Sequence, residues 1–144
     1  MIEKWDKRFM DVALLVSSWS KDPSTQCGAI IVDSDRHPIS VGYNGLPAFM
    51  YDDPEILNDR EQKYKYVIHA ERNAIDNSPS TVNGCTLYVT HPCCTDCAEY
   101  IVKSGIKRVV LNSGSERFMK QWKCEDAIEL LKSKDVEVTI LGEK

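Results

Sequence analysis

Two short runs concentrate the residues able to do chemistry: His69-Ala70-Glu71 and Cys93-Cys94-Thr95-Asp96-Cys97. Two thiolates spaced as Cys94 and Cys97, with the imidazole of His69, make three soft or borderline ligands. That set suits Zn²⁺ and leaves the fourth tetrahedral position for water. A structural zinc site takes a fourth protein ligand, whereas an open position suits a catalyst. Glu71, two residues from the imidazole, can take a proton from such a water and return it to a leaving group.

These groups work only if the fold brings them together. Each run opens a predicted helix: about His69 to Asn77 for one, about Cys94 to Ser104 for the other. Both follow extended or irregular chain, so the two helix N-termini are expected at the same end of a sheet. Their free N–H groups and positive dipole ends favour thiolate. The remaining elements follow from hydrophobic period and turn chemistry. Ile2, Trp5, Phe9, Val12, Ala13, Val16 and Trp19 form a helical stripe running to about Trp19, stopped by Asp22-Pro23. Gly28–Val32 and Ile39–Tyr43, joined across Asp33-Ser34-Asp35-Arg36, read as a β-hairpin. Strands are predicted at Thr86–Thr90, Arg108–Leu111 and Val136–Leu141, and a further helix at about Met119–Ser133. Gly105 is placed to stop the Cys94 helix. Strands alternating with helices after a hairpin imply right-handed crossovers and a largely parallel half-sheet. The expected fold is a three-layer α/β/α domain with a mixed sheet of about five strands. From Asn44 to Lys65 no period is clear, and a segment of that length in a small domain is often functional.

Composition narrows the classes of function. The chain has 144 residues, 42% hydrophobic and 28% charged, enough for one domain (1–144) with its own core. No apolar run approaches the roughly 18–20 residues of a bilayer span. The first residues have neither the basic start nor the apolar stretch of a signal peptide, so a cytoplasmic protein is expected. With 18 basic against 22 acidic side chains the net charge is −4, which disfavours a nucleic-acid surface. In a reducing compartment the six cysteines are not a disulfide framework. Cys27, Cys85 and Cys124 are expected as buried packing, while the 93–97 cluster carries the chemistry. His37 and His91 are expected in loops or at strand ends, with His91 a candidate to line the site.

His-x-Glu followed by Pro-Cys-x-x-Cys is the signature of zinc nucleobase deaminases, in which the Glu is not a ligand, and this chain matches it closely but not literally. Four segments narrow the match: Ser20 to Ala29, Gly42-Tyr43-Asn44-Gly45-Leu46-Pro47, His69-Ala70-Glu71-Arg72-Asn73-Ala74, and Tyr88-Val89-Thr90 leading into Cys94-Thr95-Asp96-Cys97-Ala98. From about Trp19 to Leu111 the chain resembles the deoxycytidylate (dCMP) deaminases, and the resemblance implies a cytidine deaminase-like fold. One departure stands beside the metal. Pro92 abuts Cys93, whereas the family's proline abuts its first cysteine ligand. Cys94 with Cys97 keeps the family spacing; Cys93 with Cys97 keeps the Pro-Cys junction but adds one residue.

The resemblance implies hydrolysis of dCMP to dUMP and ammonia, supplying thymidylate synthesis, with Zn²⁺ on His69, Cys94 and Cys97 and with Glu71 as proton carrier. Lys21, Ser24 and Thr25 in one polar turn are candidates for the 5′-phosphate, Asn44 for the sugar hydroxyl, and the Ala70 backbone N–H for the base edge. It further implies a hexamer activated by dCTP and inhibited by dTTP, with Mg²⁺ accompanying the triphosphate. Gly42, Tyr43, Asn44 and Gly45, with the irregular Ala48–Lys65 stretch, are then expected near subunit contacts and the effector site. A deaminase of another base or nucleoside competes with this reading. So does a zinc-stabilised binding module, which predicts four protein ligands and a dispensable Glu71.

Overall fold

A computed structural model describes residues 4–23, 25–46, 55, 58–59, 68–112, 119 and 123–141. Ser24 and nearly all of Ala48–Lys65 lie outside them. In chain order the elements are α1 (Lys4–Ser17), β1 (Gly28–Val32), β2 (Pro38–Tyr43), α2 (Ala70–Asp76), β3 (Thr86–Val89), α3 (Thr95–Ser104), β4 (Arg108–Asn112), α4 (Cys124–Ser133) and β5 (Glu137–Leu141). The sheet order is β2-β1-β3-β4-β5. β1 pairs antiparallel with both β2 and β3, whereas β3–β4 and β4–β5 are parallel. The mixed five-stranded sheet and its parallel half agree with the sequence reading.

The pleat divides the side chains between two cores. Ala29, Ile31, Leu87, Val89, Val109 and Leu111 face a cluster that includes Ala70 and Ala74 of α2, Ala98 and Ile101 of α3, and Ala127 and Leu131 of α4. Ile30, Val32, Tyr88 and Val110 face the other way, onto Phe9, Met10 and Ala13 of α1. This gives three layers. It also explains why the β1 run Gly28–Val32 is apolar throughout, since every residue of it is buried.

The first helix differs from its predicted stripe at its C-terminal end and at Val12, while Ile2 lies outside the described residues. It stops at Ser17, and Trp19 lies beyond it, 51% exposed; Val12 is also on the open side. The buried face is Asp6, Phe9, Met10, Ala13 and Val16, an i, i+3, i+4, i+7 pattern running through a charged residue. Asp6 is buried because Arg108 of β4 reaches both its carboxylate oxygens, at 3.0 and 2.8 Å, and the Tyr88 hydroxyl donates to it at 2.8 Å. A paired and hydrogen-bonded carboxylate can occupy an interior position that a bare one cannot. Helix α3 ends where expected, at Gly105, which takes the left-handed conformation (φ 87°). Cys85 and Cys124 are buried and Cys27 packs against the larger core, as anticipated.

Candidate active site

His69 is the N-cap of α2 and Cys94 the N-cap of α3, both with extended backbone and neither using its side chain to cap. Cys97 is the third residue of α3. N-cap and third-position side chains lie together at a helix start, the geometry that a capping box exploits. Cys94 and Cys97 therefore face one point.

His69 closes the triangle from the neighbouring helix. Its Nδ1 lies 3.1 Å from Cys97 Sγ and 3.5 Å from Cys94 Sγ. The three donor atoms all fall within 4.8 Å of one another. Cys93 does not join them. It is 1% exposed and packs in the core, its thiol pushed up by burial. Of the two spacings open in the sequence, the geometry brings together the one with Cys94.

The electrostatics of the cluster favour one thiolate. A hydrogen bond from Cys97 and the nearby His69 pull the Cys94 thiol down to about 4. Cys97 is held in the thiol form chiefly because it donates to Cys94, with burial acting in the same direction. His69 is shifted toward its protonated form by its hydrogen bond with Cys94. Glu71, 5% exposed in the first turn of α2, is raised by burial, with the His69 charge opposing. Burial therefore strengthens the hold of this carboxyl on a proton.

The other sequence candidates are distributed around this centre. Ala70 follows His69 directly and is buried. Asn44 is 8% exposed, and its carboxamide closes a loop: Nδ2 donates to the Thr25 carbonyl at 2.9 Å and Oδ1 accepts the Cys27 N–H at 2.8 Å. One N–H and one lone pair of that amide remain for a ligand. Thr25 is half-buried and its N–H donates to Asp22, while Lys21 is exposed. His91 is half-buried at the exit of β3, with Nδ1 2.9 Å from Thr90 Oγ1.

The Gly42–Gly45 segment is built against α2. A Cβ on Gly42 would stand 2.4 Å from the Ala74 nitrogen and 2.6 Å from the Ala70 oxygen, so only glycine lets strand and helix approach this closely. Gly45 forms a two-bond bridge with Ile68, the residue before His69. Tyr43 is 40% exposed, edge-on to Trp19 at 6.2 Å. Sequence reasoning passed over two groups here. Ser40 donates to the Ala74 carbonyl at 2.6 Å, and Asn73 donates to the Tyr43 carbonyl at 2.8 Å. Ser40 carries no sequence signal, and Asn73, although it falls in the His69–Ala74 segment that carries the resemblance, shows its partners only once strand and helix are folded together.

Comparisons with known proteins give the family and the fold. Residues 3–113 match the family model of the cytidine and deoxycytidylate deaminase zinc-binding region. An uncharacterized deaminase from the luxG 3′ region of Aliivibrio fischeri is 43% identical over 143 residues, covering 98% of this chain and 96% of that protein. Human deoxycytidylate deaminase is 44% identical over 116 residues, covering 76% of this chain but only 65% of the human protein. The dCMP deaminase of cyanophage S-TIM5, solved in complex with dCMP and dUMP, superposes with a TM-score of 0.77 at 26% identity and covers 98% of this chain and 99% of that one. By sequence match, fold and a His-Cys-Cys cluster beside a buried glutamate, the chain belongs to the cytidine and deoxycytidylate deaminase zinc-binding family.

Proposed function

We propose that this chain hydrolyses dCMP to dUMP and ammonia, with zinc held by His69, Cys94 and Cys97 and with Glu71 moving the protons. The observation that carries the reading is the convergence of two thiols and one imidazole beside a buried carboxyl. That donor set fits zinc with a fourth position open, and among the described residues the cluster contains three donors rather than the four of a structural site. Zinc, when bound, supplies Lewis acidity that brings the pKa of a water toward neutrality.

Glu71 then does the proton work. Its carboxylate accepts the first proton of the attacking water and delivers it to ring N3 of cytosine, which makes C4 electrophilic. The water oxygen adds to C4. Glu71 carries the remaining oxygen-bound proton to the amine, the C4–N bond breaks, and ammonia leaves with uracil keeping the N3 proton. A carboxyl whose pKa is raised by burial is suited to hold each proton between these transfers.

A nucleotide rather than a free nucleoside is favoured by the exposed Lys21 and the half-buried Thr25, which with Ser24 are assigned to the 5′-phosphate. The dCMP- and dUMP-bound relative supports the same substrate class. Asn44, with its remaining amide donor and lone pair, is assigned to the sugar hydroxyl, and the Ala70 N–H to the base edge. The same family reading carries regulation by dCTP and dTTP with Mg²⁺, a homo-oligomeric (hexameric) assembly and supply of dUMP for thymidylate. The exposed Trp19–Tyr43 pair at the Gly42–Gly45 segment is consistent with a contact surface there.

Metal analysis together with initial rates on dCMP, cytidine and dCTP tests the proposal. About one zinc per chain and a strong preference for dCMP are expected. Equal turnover of cytidine would refute the phosphate assignment, and full activity in Glu71→Ala would refute the mechanism. A dCMP saturation curve indifferent to dCTP and dTTP would refute the regulation.

A further inference from the structure

The helix that delivers both His69 and Glu71 is short and lacks a side-chain cap. Seven residues, Ala70–Asp76, are too few to be stable alone, and the N-cap side chain is committed to the thiols. Something outside the helix must hold its first turn. The sheet edge provides it. Both the Gly28 N–H and C=O point toward β3, bonding Thr90 at 3.0 Å each. Its register partner on β2, Tyr43, therefore turns its own carbonyl outward, where no further strand follows among the described residues. The Asn73 carboxamide donates to that edge carbonyl at 2.8 Å and also reaches within 3.5 Å of the Ile68 carbonyl, immediately before His69. Ile68 is held on its other side by the bridge to Gly45, with bonds of 3.1 and 2.8 Å.

We infer that Asn73 is a positioning residue that fastens the entrance of α2 to the sheet edge and thereby fixes where His69 and Glu71 stand relative to Cys94 and Cys97. The nitrogen end of its amide meets two carbonyl acceptors, a task that neither a carboxylate nor an aliphatic side chain can perform. Its effect on the metal is the kind exerted by groups that orient a ligand without touching the ion, whose removal costs roughly 10–100-fold in metal affinity or activity. The inference rests on the zinc reading above for its metal and on the dCMP reading for its rate.

The test compares Asn73→Asp and Asn73→Ala with Ser40→Ala in the full chain, measuring zinc affinity by chelator competition and then kcat and KM for dCMP. Asp keeps the shape and removes the donors; Ala is the better helix former, so a loss there is not a loss of helix propensity. Ser40 holds the far end of the same helix through the Ala74 carbonyl and serves as the control. Both Asn73 variants are expected to lose roughly 10–100-fold in zinc affinity, and kcat at saturating zinc is expected to fall while KM changes little. Ser40→Ala is expected to lower thermal stability with zinc affinity retained. If one Asn73 variant does not fold, the other decides. Wild-type zinc affinity in a folded Asn73 variant, or an equal zinc loss in Ser40→Ala, overturns the inference. A wild-type chain that binds zinc but leaves dCMP unchanged refutes the substrate reading instead, and the zinc comparison still stands.

Discussion

Replacing Gly42 by alanine tests whether the seating of α2 against β2 governs the chemistry. The added Cβ would meet the Ala74 nitrogen at 2.4 Å and the Ala70 oxygen at 2.6 Å, both backbone atoms that no rotamer change can move. Ordinary carbon contacts begin near 3.5 Å, so the helix has to retreat by about 1 Å. Overpacking of this kind costs about 1–3 kcal/mol, which for a chain of this size lowers Tm by roughly 3–10 °C. The retreat also carries His69 and Glu71 away from Cys94 and Cys97, and a 1 Å misplacement at a reacting centre costs on the order of 100-fold in rate. Gly28→Ala is the matched control. Its Cβ would stand 2.2 Å from the Ala13 oxygen and 2.5 Å from the Ser17 nitrogen, an equally tight approach but to α1, which bears no site residue. Thermal unfolding and kcat for dCMP, measured on both variants at a temperature where both are folded, separate the two effects. Both should lose stability, and Gly42→Ala alone should lose most of its rate. Wild-type kcat in folded Gly42→Ala, or an equal rate loss in Gly28→Ala, refutes the reasoning.

Four further outcomes follow from the geometry. Glu71→Gln should lower kcat by at least about 100-fold while zinc content by metal analysis stays at the wild-type level, since the glutamate is outside the ligand cluster; similarly, Cys94→Ser should lose zinc and Cys93→Ser should keep it. After zinc removal, iodoacetamide should modify Cys94 first, as read by peptide mass mapping, leaving the buried Cys93 and Cys124 untouched. The Cys94 rate should be nearly flat from about pH 6 to 8, because its thiolate is already complete above a pKa of about 4, whereas an unperturbed thiol with pKa about 8.5 would react faster as pH rises; a rate climbing tenfold per pH unit contradicts the assignment. Arg108→Ala should cost about 3–5 kcal/mol in urea unfolding, because Asp6, 3% exposed, is left charged without its partner. A loss below 1 kcal/mol would mean that water reaches Asp6.

The site was legible because its chemistry is local. His69 with Glu71, and Cys94 with Cys97, each lie within one helical turn, so residue type and spacing survive without tertiary knowledge. The strands and the stop of α3 at Gly105 were legible for the same reason, whereas the helix read from about Met119 begins only at Cys124, after Lys123 takes the left-handed conformation. What could not be read depends on contacts made across the fold. Asp6 looks like a solvent-facing acidic residue in a first turn until Arg108 arrives from 102 residues away. Trp19 looks like the end of a buried stripe, but the helix has already ended and the ring stands against Tyr43. The choice between Cys93 and Cys94 needed the helix start itself, because only its register decides which thiol faces His69. Asn44 entered as a candidate for the sugar hydroxyl; its structural work in closing the Thr25–Cys27 loop has no signature in sequence.

The tie between Asp6 and Arg108 also dictates an order of assembly. A ribosome releases the N-terminal helix long before the strand that holds its acidic residue, and Thr139, which also receives a bond from Arg108 at 3.2 Å, emerges later still. During that interval Phe9, Met10 and Ala13 have only β1, β2 and then β3 to lie on, and the carboxylate among them has the Tyr88 hydroxyl but not the charge of Arg108. The first helix is thus synthesised first and docked among the last, so a nascent chain stalled before residue 108 should present this helix to holding chaperones and proteases.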